Sequence, residues 1–217
     1  MPPKVKFRKD EIVDAATAIV RESGPDALTA REIAAKLGVS TRPIFTYFDS
    51  MDALRREVAA AAVARYRAAI KEGLSEPIPF LGVWKRYIRF AKEEPGLYRL
   101  LFFTESGESV KETLRLSQET ARESIMRIYR MDAASADKFF RNIWLVAFSF
   151  ATLIVTGECP YSDEEIFAIG SEISLSICKA YKEIPGLAEG TCDKDAVFSE
   201  LTGTPPPVRK MRKEDRI

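Results

Sequence analysis

Thr41, Arg42, Phe45 and Thr46 stand together in the stretch GVSTRPIFTYFDS, residues 38–50. A helix opening here would present Thr41 and Arg42 on its first turn, where backbone N–H groups and the helix dipole favour phosphate. Phe45 is the unusual member of the group. A large phenylalanine flanked by threonine and arginine makes a poor solvent face, but it suits a groove wall or a thymine methyl. Ile44, Tyr47 and Phe48 share the i, i+3, i+4 side and are predicted to face the core. Pro43 is tolerated only near a helix start, so the helix is capped by Ser40 or begins at Pro43 itself. A basic arm, Lys4, Lys6, Arg8 and Lys9, precedes this region. It is a candidate for contact with DNA phosphate, although the ordinary reading of such a charge run is a solvated terminus.

Other chemistries are narrowed by composition. The chain has no histidine, which excludes His-ligated zinc and Ser-His-Asp or Cys-His catalysis. Its three cysteines, Cys159, Cys178 and Cys192, are odd in number and lack CxxC spacing, against a secreted disulfide framework. Cys159 beside Glu158 and Cys192 near Lys194 leave a thiol redox sensor as an alternative to free cytosolic thiols. There is no glycine-rich phosphate loop, metal-ligand spacing or nucleophile elbow. No catalytic site, metal or cofactor is therefore expected.

These residues need elements to hold them. The 217 residues are 46% hydrophobic and 30% charged, enough for a real core, and the net charge is only +1. Nucleic-acid binding must then come from local charge rather than from the whole-molecule field. Ile12, Ala15, Ala16, Ile19 and Val20 form one helical face, stopped by Gly24 and Pro25. Thr29 and Glu32 have capping-box spacing, Ile33, Ala34 and Leu37 supply an apolar face, and Gly38 ends that helix. Ser50 caps a longer helix with Leu54, Val58, Ala61, Ala62 and Arg65 or Tyr66 inward, up to a break at 75–79. Further helices are predicted near 80–94, 97–103, 108–130, 137–157 and 163–183. The last two bury more apolar surface than one chain needs, which suggests a partner. The run at 143–157 is short for a membrane span, so a soluble, cytoplasmic protein without membrane contact is expected. Helix, short turn and helix match a helix-turn-helix reader, although a helical hairpin inside an all-α core has the same periodicity.

Residues 8–70 resemble the DNA-binding domain of the TetR family of transcriptional regulators. The resemblance rests on the pattern G-x-x-x-L-T-x-R-x-I-A, on LGVS, and on the aromatic pair ahead of S-M-D-A-L. It implies an all-α protein in which a three-helix helix-turn-helix domain joins an all-helical ligand-binding and dimerisation domain. The implied boundaries are 1–50 for the arm and reading head, 51–74 for a connecting helix, 75–187 for the helical domain and 188–217 for a flexible tail. Thr29 and Arg31 would contact phosphate or the groove edge, and Ser40, Thr41, Arg42, Pro43, Phe45, Thr46 and Tyr47 would meet DNA. Phe45 stands where the family often has tyrosine, and Met51 where it often has lysine.

Members typically bind a small effector that re-spaces two reading heads on a palindromic operator. The resemblance therefore implies a homodimer, most often a repressor, released by a small apolar or aromatic molecule. Candidates for the effector pocket are Trp84, Tyr87, Tyr98, Phe102, Phe103, Trp144 and Phe148, with Arg99, Glu105 or Arg141 as polar partners. Candidates for the dimer contact are Phe140, Ile166, Ile169, Gly170, Ile173, Ser174 and Ile177. An all-helical enzyme and a structural interaction protein are the remaining alternatives.

Overall fold

The computed structural model describes residues 7–104 and 110–205, and among them there is no strand. Ten α-helices follow in order: α1 (Lys9–Ser23), α2 (Ala30–Leu37), α3 (Ile44–Tyr47), α4 (Met51–Glu72), α5 (Pro79–Glu93), α6 (Pro95–Phe103), α7 (Val110–Tyr129), α8 (Ala133–Thr156), α9 (Asp163–Glu183) and α10 (Lys194–Thr202). Lys4, Lys6 and Glu105 lie outside the described residues.

Helix ends follow local chemistry. The Thr29 hydroxyl accepts the Glu32 N–H at 3.2 Å, while the Thr29 N–H is donated to the Ala27 carbonyl. The expected capping box is thus formed on one side only, because the preceding 3-10 turn (Pro25–Ala27) already satisfies the other donor. Gly38 ends α2 in the left-handed region (φ 68°), where a side chain would be strained. Ser50 caps α4, Asp132 caps α8, and Ser162 with Glu165 forms a complete capping box on α9.

α1, α2 and α3 close around Ile12, Ala16, Val20, Ile33, Ile44 and Phe48, all buried. α4 runs out of this cluster with Leu54, Val58, Ala62, Tyr66 and Ile70 inward, so one helix belongs to both cores. In the second core α5 packs on α4, α7 and α8, and α9 packs on α8. The turn after α4 meets α5 backbone to backbone, since a Cβ on Gly73 would lie 2.4 Å from the Gly82 carbonyl carbon.

A second joint ties the two cores at α1 and α6. Gly96 sits so close to α1 that an added Cβ would lie 2.0 Å from the Val20 carbonyl oxygen. Beside it the Glu94 carboxylate, 8% exposed, accepts two bonds from Arg21 of α1 at 2.7 and 2.8 Å and one from Arg65 of α4 at 2.9 Å. One carboxylate therefore holds three elements.

The stretch from 188 onward is not structureless throughout. Asp193 caps α10, whose Phe198 and Leu201 are exposed.

Candidate nucleic-acid interface

The turn between α2 and α3 determines what the reading head can present. Val39 is half-buried as the linker's apolar anchor, and its N–H bonds the Ala34 carbonyl at 2.9 Å. Pro43 takes the N-cap position of α3 with helical angles (φ −57°, ψ −35°). Ser40 does not cap the helix, which resolves the two starts the sequence allowed. Thr41 and Arg42 instead form a turn closed by the Ile44 N–H on the Thr41 carbonyl, at 3.1 Å. The Thr46 hydroxyl donates to the Arg42 carbonyl at 3.1 Å, fixing the backbone that carries Arg42.

Ile44 and Phe48 are buried as expected, and Phe45 is 50% exposed. Tyr47 corrects the expected core-facing trio. It is 44% exposed, and its hydroxyl donates to the Phe7 carbonyl at 2.7 Å. A helix of four residues is too short for the 3.6-residue period to assign a face, and Tyr47 serves to tie down the chain entering α1. Thr29, Arg31, Ser40, Thr41, Arg42 and Thr46 are all exposed, and Pro43 is half-buried.

Charge pairing sorts the cations of this domain. Arg8 pairs with Asp10 and Glu11, Lys9 with Glu57, Arg21 with Glu94, Lys36 with Glu22, and Arg55 with Asp52. Among the described residues up to Val58, Arg31, Arg42 and Arg56 have no carboxylate partner. Two of those three are the arginines at the front of α2 and in the turn before α3. Their charge is available to phosphate or a base edge without first breaking an internal ion pair. Arg8 and Lys9, read as arm cations, are already engaged on the surface.

Residues 12–58 match the family model for bacterial regulatory proteins of the tetR family. Over these residues the chain is similar to the N-terminal domain of that family. The chain is also 24% identical over 101 residues to YobS of Bacillus subtilis (strain 168), an uncharacterized HTH-type transcriptional regulator. That match covers 45% of this chain and 53% of YobS, so the chain spans about half the length of this curated relative. A protein of unknown function from Rhodococcus sp. RHA1 superposes with a TM-score of 0.64 at 17% identity, over 83% of this chain and 98% of that one. A TetR-family transcriptional regulator from Streptomyces coelicolor gives 0.52 at 18% identity, over 78% and 96%. These structures share the fold, with the TetR-type helix-turn-helix domain followed by an all-helical domain. The comparisons support a TetR-type helix-turn-helix in the N-terminal domain.

The aromatic residues of the helical domain gather behind α5. Trp84, Tyr87, Tyr98, Phe102 and Trp144 are buried, Phe148 is half-buried, and Phe103 is 45% exposed at the edge. Tyr98 stacks on Phe102 and Trp144 on Phe148, with ring centroids 4.4 and 5.2 Å apart. Of these seven, Trp84, Tyr87 and Trp144 border a narrow apolar cavity, completed by Ile70, Phe80, Val83, Ser117, Phe140, Ile143 and Ala147. Phe80, Val83, Trp84 and Tyr87 follow helical spacing on α5, so this inner face was visible in the periodicity. Arg99 and Arg141 lie elsewhere: both are exposed, and Arg99 donates to the Val155 carbonyl at 2.7 Å.

The residues proposed for a dimer contact divide. Phe140, Ile166, Gly170 and Ser174 are buried inside this chain, which removes them from any surface a partner could touch. Gly170 is the seat of the Trp84 ring, and a Cβ there would come within 2.5 Å of it. Ile169, Ile173 and Ile177 are half-buried. The outward apolar residues on these helices are instead Leu145 (53% exposed) on α8 and Leu175 (68% exposed) on α9. The three cysteines are free thiols, with Cys178 buried and the others half-buried.

Proposed function

We propose that this chain is a homodimeric TetR-type repressor, released from an approximately palindromic operator by a small, largely apolar effector. The observation that carries the reading is the pair Arg31 and Arg42, exposed and free of internal partners on a helix-turn-helix head beside exposed Phe45 and Tyr47. Thr29, Ser40, Thr41, Thr46 and the segment before α1 would complete the contact, with Arg8 and Lys9 exchanging carboxylates for phosphates. Residues 1–50 would read DNA, 51–74 connect, and 75–187 bind the effector and the partner, with 188–217 as an appendage.

Dimerisation is supported by α8. Its most apolar window is only 44% buried within one chain, and Leu145 and Leu175 leave an outward stripe on α8 and α9 that a second copy would cover. A two-fold pair of heads addresses half-sites roughly 34–36 Å apart. The effector must bind the DNA-free state better than the DNA-bound state, because equal affinity shifts nothing. The protein acts in the cytoplasm by binding rather than by catalysis.

Footprinting on the intergenic DNA beside its own gene tests this reading. A protected palindrome is expected, and Arg42→Ala should weaken it by roughly 10- to 100-fold, the range of a lost base-edge or phosphate contact. Dimer content and unfolding temperature should be unchanged, since the Arg42 side chain is exposed and forms no ion pair among the described residues. Unaltered operator affinity in Arg42→Ala would sink the assignment of the reading turn.

A further inference from the structure

Resting on the reading of an effector-released regulator, we propose that the effector is a neutral molecule with an apolar body and one exposed hydrogen-bond acceptor, such as a carbonyl. It enters the cavity between α4, α5, α7 and α8 and accepts from the indole N–H groups of Trp84 and Trp144.

Four features of the cavity converge on this class. Its lining has no Lys, Arg, Asp or Glu, so an ionised ligand would be buried without a countercharge. Its hydroxyls are already committed. The Ser117 hydroxyl donates to the Thr113 carbonyl at 2.9 Å and pairs with the Tyr66 hydroxyl at 2.6 Å, and Tyr87 pairs with Tyr98 at 2.9 Å. The two indole N–H groups are buried and have no acceptor. An indole nitrogen donates only, so the missing partner is an acceptor and not another donor. Burial also holds the neighbouring phenols protonated, with Tyr98 pushed up to about 12 and Tyr87 well above its ordinary value, so no phenolate supplies charge here.

Size sets a further condition. The cavity offers about 20 Å³ to the centre of a water-sized sphere, room for about one water. An effector must therefore widen it. Trp84 cannot retreat freely, because its ring edge rests on Gly170 of α9 and its face meets Phe167 at 5.4 Å. Widening the cavity pushes α9, one of the two helices proposed to meet the second copy.

A matched set of probes tests the acceptor directly. Acetophenone carries the carbonyl, α-methylstyrene replaces that oxygen with CH2 at nearly the same shape, and benzoate replaces the methyl ketone with a charge. The chain has only two tryptophans, so indole ¹H–¹⁵N resonances of the full-length protein report on this cavity alone. Acetophenone should bind about tenfold tighter than α-methylstyrene and move both indole N–H signals downfield, while benzoate should not bind. Trp144→Phe keeps an aromatic six-membered ring but removes the N–H, and should erase most of that preference. Equal binding of the ketone and the hydrocarbon, unmoved indole signals, or binding by none of the probes would overturn the proposal. The operator footprint is scored separately. If it holds while the indole signals stay fixed, only the effector class fails. If acetophenone binds as described but no operator is protected, the regulator reading fails and the cavity chemistry stands.

Discussion

Arg31 and Arg42 stand in solvent with no carboxylate, whereas Trp84 and Trp144 keep N–H groups without an acceptor inside the helical domain. Both regions hold polar groups that nothing among the described residues satisfies, and the surroundings make the consequences opposite. An unpaired guanidinium in water is fully hydrated and costs little, so the head can hold its charges ready with no penalty in stability. An unpaired N–H in an apolar cavity costs roughly 1–3 kcal/mol, so that region is held in place only by the packing around it. The head therefore comes preformed and the cavity comes nearly filled. Besides α4, which belongs to both cores, the joint of Gly96 against α1, with Glu94 bridging Arg21 and Arg65, can carry a change from one to the other.

Breaking that joint should give the largest effect. In Gly96→Ala the new methyl meets the Val20 carbonyl, a backbone atom that cannot rotate away, so α6 or α1 must shift. The expected loss is about 3 kcal/mol of unfolding free energy, at the upper end for overpacking. Chemical denaturation measures it. If the variant still binds operator but no longer responds to effector, the comparison sharpens into a coupling defect. If stability and response are both unchanged, α1 and α6 are not coupled through this contact.

The head was largely legible in the sequence because its signals are local. Thr29, Gly38 and Ser50 mark helix ends through short-range hydrogen bonds or a single φ value, and each stands at the predicted boundary. The apolar face of α1 survives unchanged for the same reason, since one clean stripe has one way to turn. The helical domain was less legible. α8 is apolar on nearly every side, so periodicity fixes that it is helical but not which stripe turns inward. That is why Phe140 lines the cavity while Leu145 faces outward, and why Gly170 and Ser174 on α9 are buried under their own chain. Tyr47 was misdirected on the same grounds at smaller scale. Nothing local foretold Glu94, whose partners lie 73 and 29 residues away.

Alkaline titration should give the next largest effect, and it tests the buried side of the comparison. Burial raises the Tyr98 phenol from 10 to about 12 and also raises Tyr66 and Tyr87. A raised value means the folded state keeps the proton that the unfolded chain releases. The stabilisation is thus complete below pH 10 and is lost as pH climbs from there through 12. Two units at Tyr98 alone correspond to roughly 3 kcal/mol at the end of that range. Phenolate absorbance should show these tyrosines titrating together with the unfolding transition, not before it. Smooth titration of every tyrosine in a still-folded protein would mean the cavity is open to solvent.

The smallest effect concerns the head, and it separates charge from contact. On the proposed reading, a polar residue in place of Phe45 or Met51 would add a phosphate contact, but the two additions differ in kind. Phe45→Tyr places a neutral hydroxyl at a half-exposed position, so it can donate to a phosphate without displacing a counterion. Operator affinity should rise by a few-fold, about 1 kcal/mol or less, at every salt concentration. Met51→Lys adds a charge at the first residue of α4, where the helix dipole opposes it slightly. That variant should steepen the dependence of log affinity on log salt by about 0.9, the value for one more neutralised phosphate. Its advantage should appear at low salt and shrink as salt is raised. Parallel lines for Phe45→Tyr and converging lines for Met51→Lys would place both side chains at the backbone of the duplex. If neither substitution moves the line, α3 and the start of α4 do not face DNA, and the exposed arginines would need another anion to meet.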